Sequence, residues 1–256
     1  MERIISILKK NIYMVYGLLL LLTILFIVLN NKYTFFWFDE GFSISLVKHS
    51  YKDIWNLTAQ DVHPPLYYYM LKIYSSLVGD SILSLRFFSA IPVFLTALIA
   101  CFKVRRFWGG KVAVLFIALM LATPITYYLT SEIRMYSWTM FFVFMAFLYA
   151  YQSYAAQQKY PFVLFAVFSL LAAYTHYYSL IAVAYIYALL FLLLLAKDKK
   201  KIPLLFASAV LCIIAYAPWM INLINQVKAV TKDYWITSAW LDDIMEFLYP
   251  VYILKE

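Results

Sequence analysis

Asp39 and Glu40 directly follow a long apolar stretch and lie within the aromatic run Phe35-Phe36-Trp37-Phe38-Asp39-Glu40-Gly41-Phe42. Two carboxylates beside a bilayer surface must be paired, hydrated or used in chemistry, and neighbouring acids perturb each other's ionisation. Further along, Asp61 and His63 precede Pro64-Pro65, Glu132 and Arg134 stand in Ser131-Glu132-Ile133-Arg134-Met135-Tyr136, and His176 lies within Tyr174-Thr175-His176-Tyr177-Tyr178. The set holds a proton acceptor, imidazoles able to bind a metal and a cation suited to phosphate. Each also has a bland reading. His63 could cap the helix that follows the prolines, and Arg134 with Glu132 could be a snorkelling arginine beside a helix-start acid. His49 reads as a surface residue, and Cys101 and Cys212 as packing within apolar stretches.

The frame that must position these groups follows from composition. Hydrophobic residues make up 66% and charged residues 13% of 256, where ordinary globular chains hold roughly 45–50% and about 25%. The mean hydropathy is +0.80. These values predict an all-α polytopic membrane protein, because apolar helices satisfy their own backbone within a hydrocarbon core of about 30 Å. Seven spans are expected, at 12–29, 82–102, 112–129, 133–151, 162–175, 178–196 and 202–221. With residues 1–11 in the cytosol, the inner segments carry twelve Lys/Arg against two acids, so the positive-inside rule puts the carboxylates and histidines of interest on the extracytoplasmic side. The net charge of +8 comes from those inner anchors. No basic stripe on a soluble domain suggests nucleic acid.

The first outer loop, 31–81, is the one long polar segment between spans. Ile44, Val47, Tyr51 and Ile54 recur at helical spacing with Lys48, Lys52 and Asp53 opposite, which predicts an amphipathic interfacial helix. A second helix is expected to start at Pro64-Pro65 and run through Leu66-Tyr67-Tyr68-Tyr69. The proline turn between them returns Asp61 and His63 to the membrane face from which Asp39-Glu40 emerges. Glu132 and Arg134 are read as opening the fourth span, where i, i+2 neighbours do not face each other. Residues 222–256 read as an extracytoplasmic segment, the start of further helices cut short. The chain shows no P-loop, dinucleotide fingerprint or Gly-rich nucleotide cradle, and has five glycines in all, so no nucleotide cofactor is expected. An enzyme working outside the cytosol would instead draw on a membrane-borne donor.

In order, one span, Phe-Asp-Glu, an interfacial loop with His-Pro-Pro-Leu-Tyr-Tyr, Ser-Glu-x-Arg-Met-Tyr before span four and Thr-His-Tyr after span five resemble the GT-C glycosyltransferases. The similarity is to the branch of protein O-mannosyltransferases and lipid A aminoarabinose transferase, and it extends to Asp233-Tyr234-Trp235-Ile236. The resemblance implies transfer of a sugar from a polyprenyl-phosphate donor to a lipid, glycan or protein hydroxyl, with inversion. Carried over by motif, Asp39 would be the general base, Glu40 would orient it or the acceptor, and Glu132 would position Arg134 or act as a second acid. Arg134 and Tyr136 would bind the donor phosphate, Asp61 and Tyr67 would support the acceptor, and His63 and His176 would hold a divalent metal. Relatives normally continue with further spans. Rival readings are a lipid-linked sugar transporter, which would show paired broken helices at the midplane, and a noncatalytic assembly subunit.

Overall fold

A computed structural model describes residues 11–31 and 36–230. The N-terminal residues before these, Asp233-Tyr234-Trp235-Ile236 and most of the 222–256 segment lie outside the described residues. All regular structure among the described residues is helical. In chain order the helices are α1 Ile12–Asn30, α2 Phe38–Leu46, α3 Tyr51–Gln60, α4 Leu66–Val78, α5 Ile82–Ile99, α6 Arg105–Trp108, α7 Gly110–Ala122, α8 Ile125–Ser131, α9 Tyr136–Ala155, α10 Tyr160–Ala173, α11 Tyr177–Lys197 and α12 Ile202–Val230.

Every stretch expected to span is thus helical, with differences that have local causes. Four helices are both long and apolar enough to cross a membrane: Ile12–Asn30, Ile82–Trp108, Tyr177–Lys197 and Lys199–Ala229. The second of these runs unbroken through a wider π turn at Ala100–Val104. It ends where Gly109, at φ 91°, takes up a left-handed conformation closed to most side chains. The expected span at 112–129 is a bent pair, α7 and α8, meeting at 74°. Pro124 excludes Thr123 from helical geometry, leaving it extended at ψ 125°. Helix α10 has only 14 residues. Helix α9 is not among the four apolar spans, and its Ser137, Gln152 and Ser153 are buried within the bundle.

The bundle core joins Phe142, Met145, Leu148, Phe165 and Leu194 from α9, α10 and α11 with Ala97 and Ile117 of α5 and α7. At one end of the bundle, Lys201 donates to the carbonyls of Ser153, Tyr154 and Ala156 at 3.2, 3.3 and 2.6 Å. A cation thereby closes the C-terminus of α9, where unpaired carbonyls collect. At the opposite end the first loop folds into α2, α3 and α4. The single amphipathic helix expected through residues 44–54 is in fact two. Ser50 accepts from the Asp53 amide and starts a new helix at Tyr51, because a capping side chain favours a fresh start over continuation. Helix α4 begins one residue after Pro65, as anticipated.

Helix α12 continues past the expected end at 221, and its last turns dock onto α3. Trp219 is fully buried and meets Trp55 edge-on at 4.7 Å. Gln226 donates to the carbonyls of Thr58 and Ala59 at 2.8 and 3.2 Å, while the Tyr177 hydroxyl bonds the Gln226 side chain and accepts from Trp219 Nε1 at 2.9 Å. This clamp holds α3 just before Asp61. Removing the indole leaves a cavity and an unpaired network, so Trp219→Ala is expected to lower unfolding free energy by about 3 kcal/mol. Denaturant titration of the reconstituted protein against wild type measures it.

Candidate functional site

The first turn of α2 sends its two carboxylates to opposite sides. Residues one apart on a helix are about 100° apart around its axis, and each finds its own guanidinium. Glu40 is 2% exposed and accepts from Arg86 Nε and Nη2, both at 3.1 Å. It also accepts from the Ile133 amide at 3.0 Å and from the Trp37 amide at 3.3 Å, the latter closing the N-terminus of its own helix. Arg86 is itself buried near the start of α5. It was not singled out in the sequence, although a lone arginine within an apolar span is the signal that could have found it.

Asp39 faces the other way and keeps 45% of its side chain exposed. Below it lies Arg134, 4% exposed, whose Nη1 donates to the Asp39 carbonyl at 3.2 Å and whose Nη2 sits 3.8 Å from Asp39 Oδ2. Arg134 is not on a helix. It belongs to the turn between α8 and α9, in which Glu132 is extended at ψ 140°. The expectation that this pair opens a span is therefore corrected by a few residues, and the turn is what allows the Ile133 amide to reach Glu40. The same Nη2 lies 3.4 Å from His63 Nε2, and His63 Nδ1 is 3.0 Å from Asp61 Oδ2. The rings of His63 and His176 stand 5.5 Å apart, Tyr136 is 5.7 Å from His176, and the Arg134 guanidinium lies 5.8 Å from the Tyr136 ring. His63 caps no helix. His176 does, accepting from the Tyr178 amide at 3.2 Å at the start of α11.

Six of the singled-out residues thus meet: Asp39, Asp61, His63, Arg134, Tyr136 and His176. Two do not. Glu132 and Glu40 line a separate polar cleft of about 320 Å³ with Asn30, Trp37, Arg86 and Tyr127, where burial and then the Glu40 charge raise the Glu132 pKa against the opposing pull of Arg134. Tyr67 is fully buried, its hydroxyl 2.8 Å from Ser89. Beside it, the buried Tyr68 hydroxyl and Arg134 Nε have no hydrogen-bond partner. Burial would raise the pKa of Asp61, but its hydrogen bond to His63 and the charge of Arg134 hold it below the ordinary value.

These residues do not fit a divalent metal. His63 turns one nitrogen to Asp61 and the other to a guanidinium, a cation where the metal would have to stand. His176 Nδ1 is committed to its helix cap. Among the described residues no group of three or more His, Cys, Asp or Glu is arranged to hold an ion, and two imidazoles fall short of the three protein ligands typical of catalytic zinc.

The family model described as dolichyl-phosphate-mannose-protein mannosyltransferase matches residues 62–222, more than half of the chain, and the chain belongs to that family. No curated protein and no solved structure matches it. The match begins at the proline turn and ends within α12, so it takes in Arg86, the 132–136 turn and His176. It makes the chain a membrane glycosyltransferase of the dolichyl-phosphate-mannose type.

Two stability measurements follow from these environments. Glu40→Gln removes the carboxylate that Arg86 and the Ile133 amide share in the buried site and is expected to cost about 3 kcal/mol, read by denaturant titration. Burial, then the neighbouring His63 and the Arg134 charge, lower His176 to about 4. Because the folded state resists a proton that the unfolded chain accepts near about 6.5, the neutral ring's contribution is complete above that pH and is lost as pH falls toward about 4. Over that window wild type is expected to lose about 3 kcal/mol more than His176→Asn, which keeps a capping side chain.

Proposed function

We propose that this family member transfers a sugar from a polyprenyl-phosphate donor to an acceptor hydroxyl on the extracytoplasmic side of a cell membrane, inverting the anomeric carbon, with Asp39 as general base. The observation that carries the reading is the contrast within the first turn of α2. Glu40 is saturated by four hydrogen bonds, whereas Asp39 keeps a carboxylate 45% exposed beside the buried Arg134 guanidinium. An acceptor O–H set against Asp39 gives up its proton to the carboxylate as its oxygen bonds to the anomeric carbon. The bond from that carbon to the phosphate oxygen breaks on the opposite face, and its electron pair leaves with the phosphate. Such a leaving group needs charge stabilisation rather than a strong acid, the role assigned to Arg134 with Tyr136 at its edge. Glu40 orients the base by fixing the helix turn that carries it. Glu132 stands ready to meet hydroxyls in the adjoining cleft, and Asp61 acts from behind through His63.

An apolar recess of about 750 Å³ among α5, α7, α8, α9 and α11 supports a donor with a hydrocarbon tail. It is lined by Phe116, Met120, Phe144 and Tyr185, and includes Leu129 one turn before the Glu132–Arg134 turn. The side assigned to the site rests on the excess of Lys and Arg in the segments at the other end of the bundle. A transporter would favour paired broken helices, and among the described residues the bent pair α7–α8 stands singly.

Asp39→Asn should reduce mannosyl transfer from polyprenyl-phosphate mannose by roughly 10²–10⁴-fold, with insertion and unfolding midpoint unchanged. Undiminished transfer by that variant removes Asp39 from the role of base. Arg134→Lys, which keeps the charge but loses the planar fork, should weaken turnover as well.

A further inference from the structure

Asp61, His63, Arg134 and Asp39 form a continuous chain of polar contacts, and its links differ in kind. The imidazole is held between an anion at 3.0 Å from Nδ1 and a cation at 3.4 Å from Nε2. A carboxylate can only accept and a guanidinium can only donate. One protonation state satisfies both neighbours: a neutral ring with its proton on Nδ1, given to Asp61, and a lone pair on Nε2, receiving Arg134. A doubly protonated ring would point an N–H at an N–H, and the other neutral tautomer would set a lone pair against Asp61 while doing the same.

We propose that His63 is a positioning residue, a neutral imidazole locked in the Nδ1–H form by Asp61, whose Nε2 holds the Arg134 guanidinium beneath Asp39 in place of any metal ion. Deepening the reading of this cleft as a polyprenyl-phosphate site, it makes the placement of the phosphate-binding cation depend on a residue that touches neither substrate. Arg134 contacts on the Asp39 side are its carbonyl at 3.2 Å and its carboxylate at 3.8 Å. Without the pull from His63, the guanidinium is free to close fully on Asp39, engaging the base and the cation with each other. The backbone that sets the spacing is stiff: Pro64 and Pro65 follow His63 directly and are both buried, and the clamp from α12 ends two residues before Asp61.

The chain has three histidines, so uniform ¹⁵N-histidine labelling of the full chain in nanodiscs gives a spectrum assignable by single substitutions. The expected result at mildly alkaline pH is a neutral His63 with the proton on Nδ1, unmoved by added ZnCl₂. A proton on Nε2, or stoichiometric zinc shifting the His63 and His176 signals together, overturns the proposal. Binding of undecaprenyl phosphate supplies the second measurement. His63→Gln, which retains a side-chain acceptor, should hold affinity within about 3-fold of wild type, while His63→Leu should lose 10-fold or more, a loss of about 1.4 kcal/mol. Equal losses in the two variants overturn the bracing role. Failure of wild type to bind undecaprenyl phosphate would count against the donor reading alone, and the histidine spectrum would still decide the tautomer.

Discussion

Removing a carboxylate from water costs several kcal/mol unless its oxygens are fully occupied, and Glu40 meets that requirement with donors from three separate parts of the chain. Arg86 supplies two parallel bonds from α5, the Ile133 amide one from the turn before α9, and the Trp37 amide one from the start of the same helix. Because each bond is directional, the interaction fixes the rotation of α2, its height above the bundle and the path of the 132–134 turn together. Asp39 is aimed by this arrangement. Had Glu40 been left at the surface, α2 would have no strong reason to present its neighbour toward Arg134.

The other side of the site is held by hydrogen bonds between uncharged groups. Helix α4 is anchored by the Leu66 amide to the Tyr174 carbonyl at 3.1 Å, and Tyr174 in turn donates to Ala215 of α12 at 2.9 Å. Gln226, Tyr177 and Trp219 tie α12 to α3 on the far side of the proline turn. The two sides meet at Arg134 and His63. One is locked by charge and the other by aromatic packing and amides, so the exposed carboxylate stands on a frame whose polar groups are mostly spoken for.

Much of this could be read from residue order alone. Apolar runs announce helices, the prolines mark the start of α4, and motifs in sequence placed the chain in its family through residues that the fold then gathers at one end. What escaped the reading consists, with one local exception, of contacts between residues far apart in the chain. Arg86 sits among apolar neighbours with nothing local to mark its partner 46 residues earlier. The helix expected through 44–54 has unbroken apolar periodicity, yet a single serine cap at position 50 divides it, a local hydrogen bond outweighing the pattern. His63 and His176 invite a metal by residue type, and it is their tertiary partners, the Arg134 guanidinium first among them, that argue otherwise.

The order in which the chain is made gives the Glu40 cage a temporal aspect. Glu40 emerges first, its arginine follows 46 residues later, and the Ile133 amide follows 93 residues later. Until α5 has entered the bilayer the carboxylate has no counter-charge, and until the segment after α8 has followed, one oxygen still lacks a backbone donor. The early helices therefore remain provisional during biogenesis and are committed retroactively, when a turn from the middle of the chain reaches back to lock the beginning.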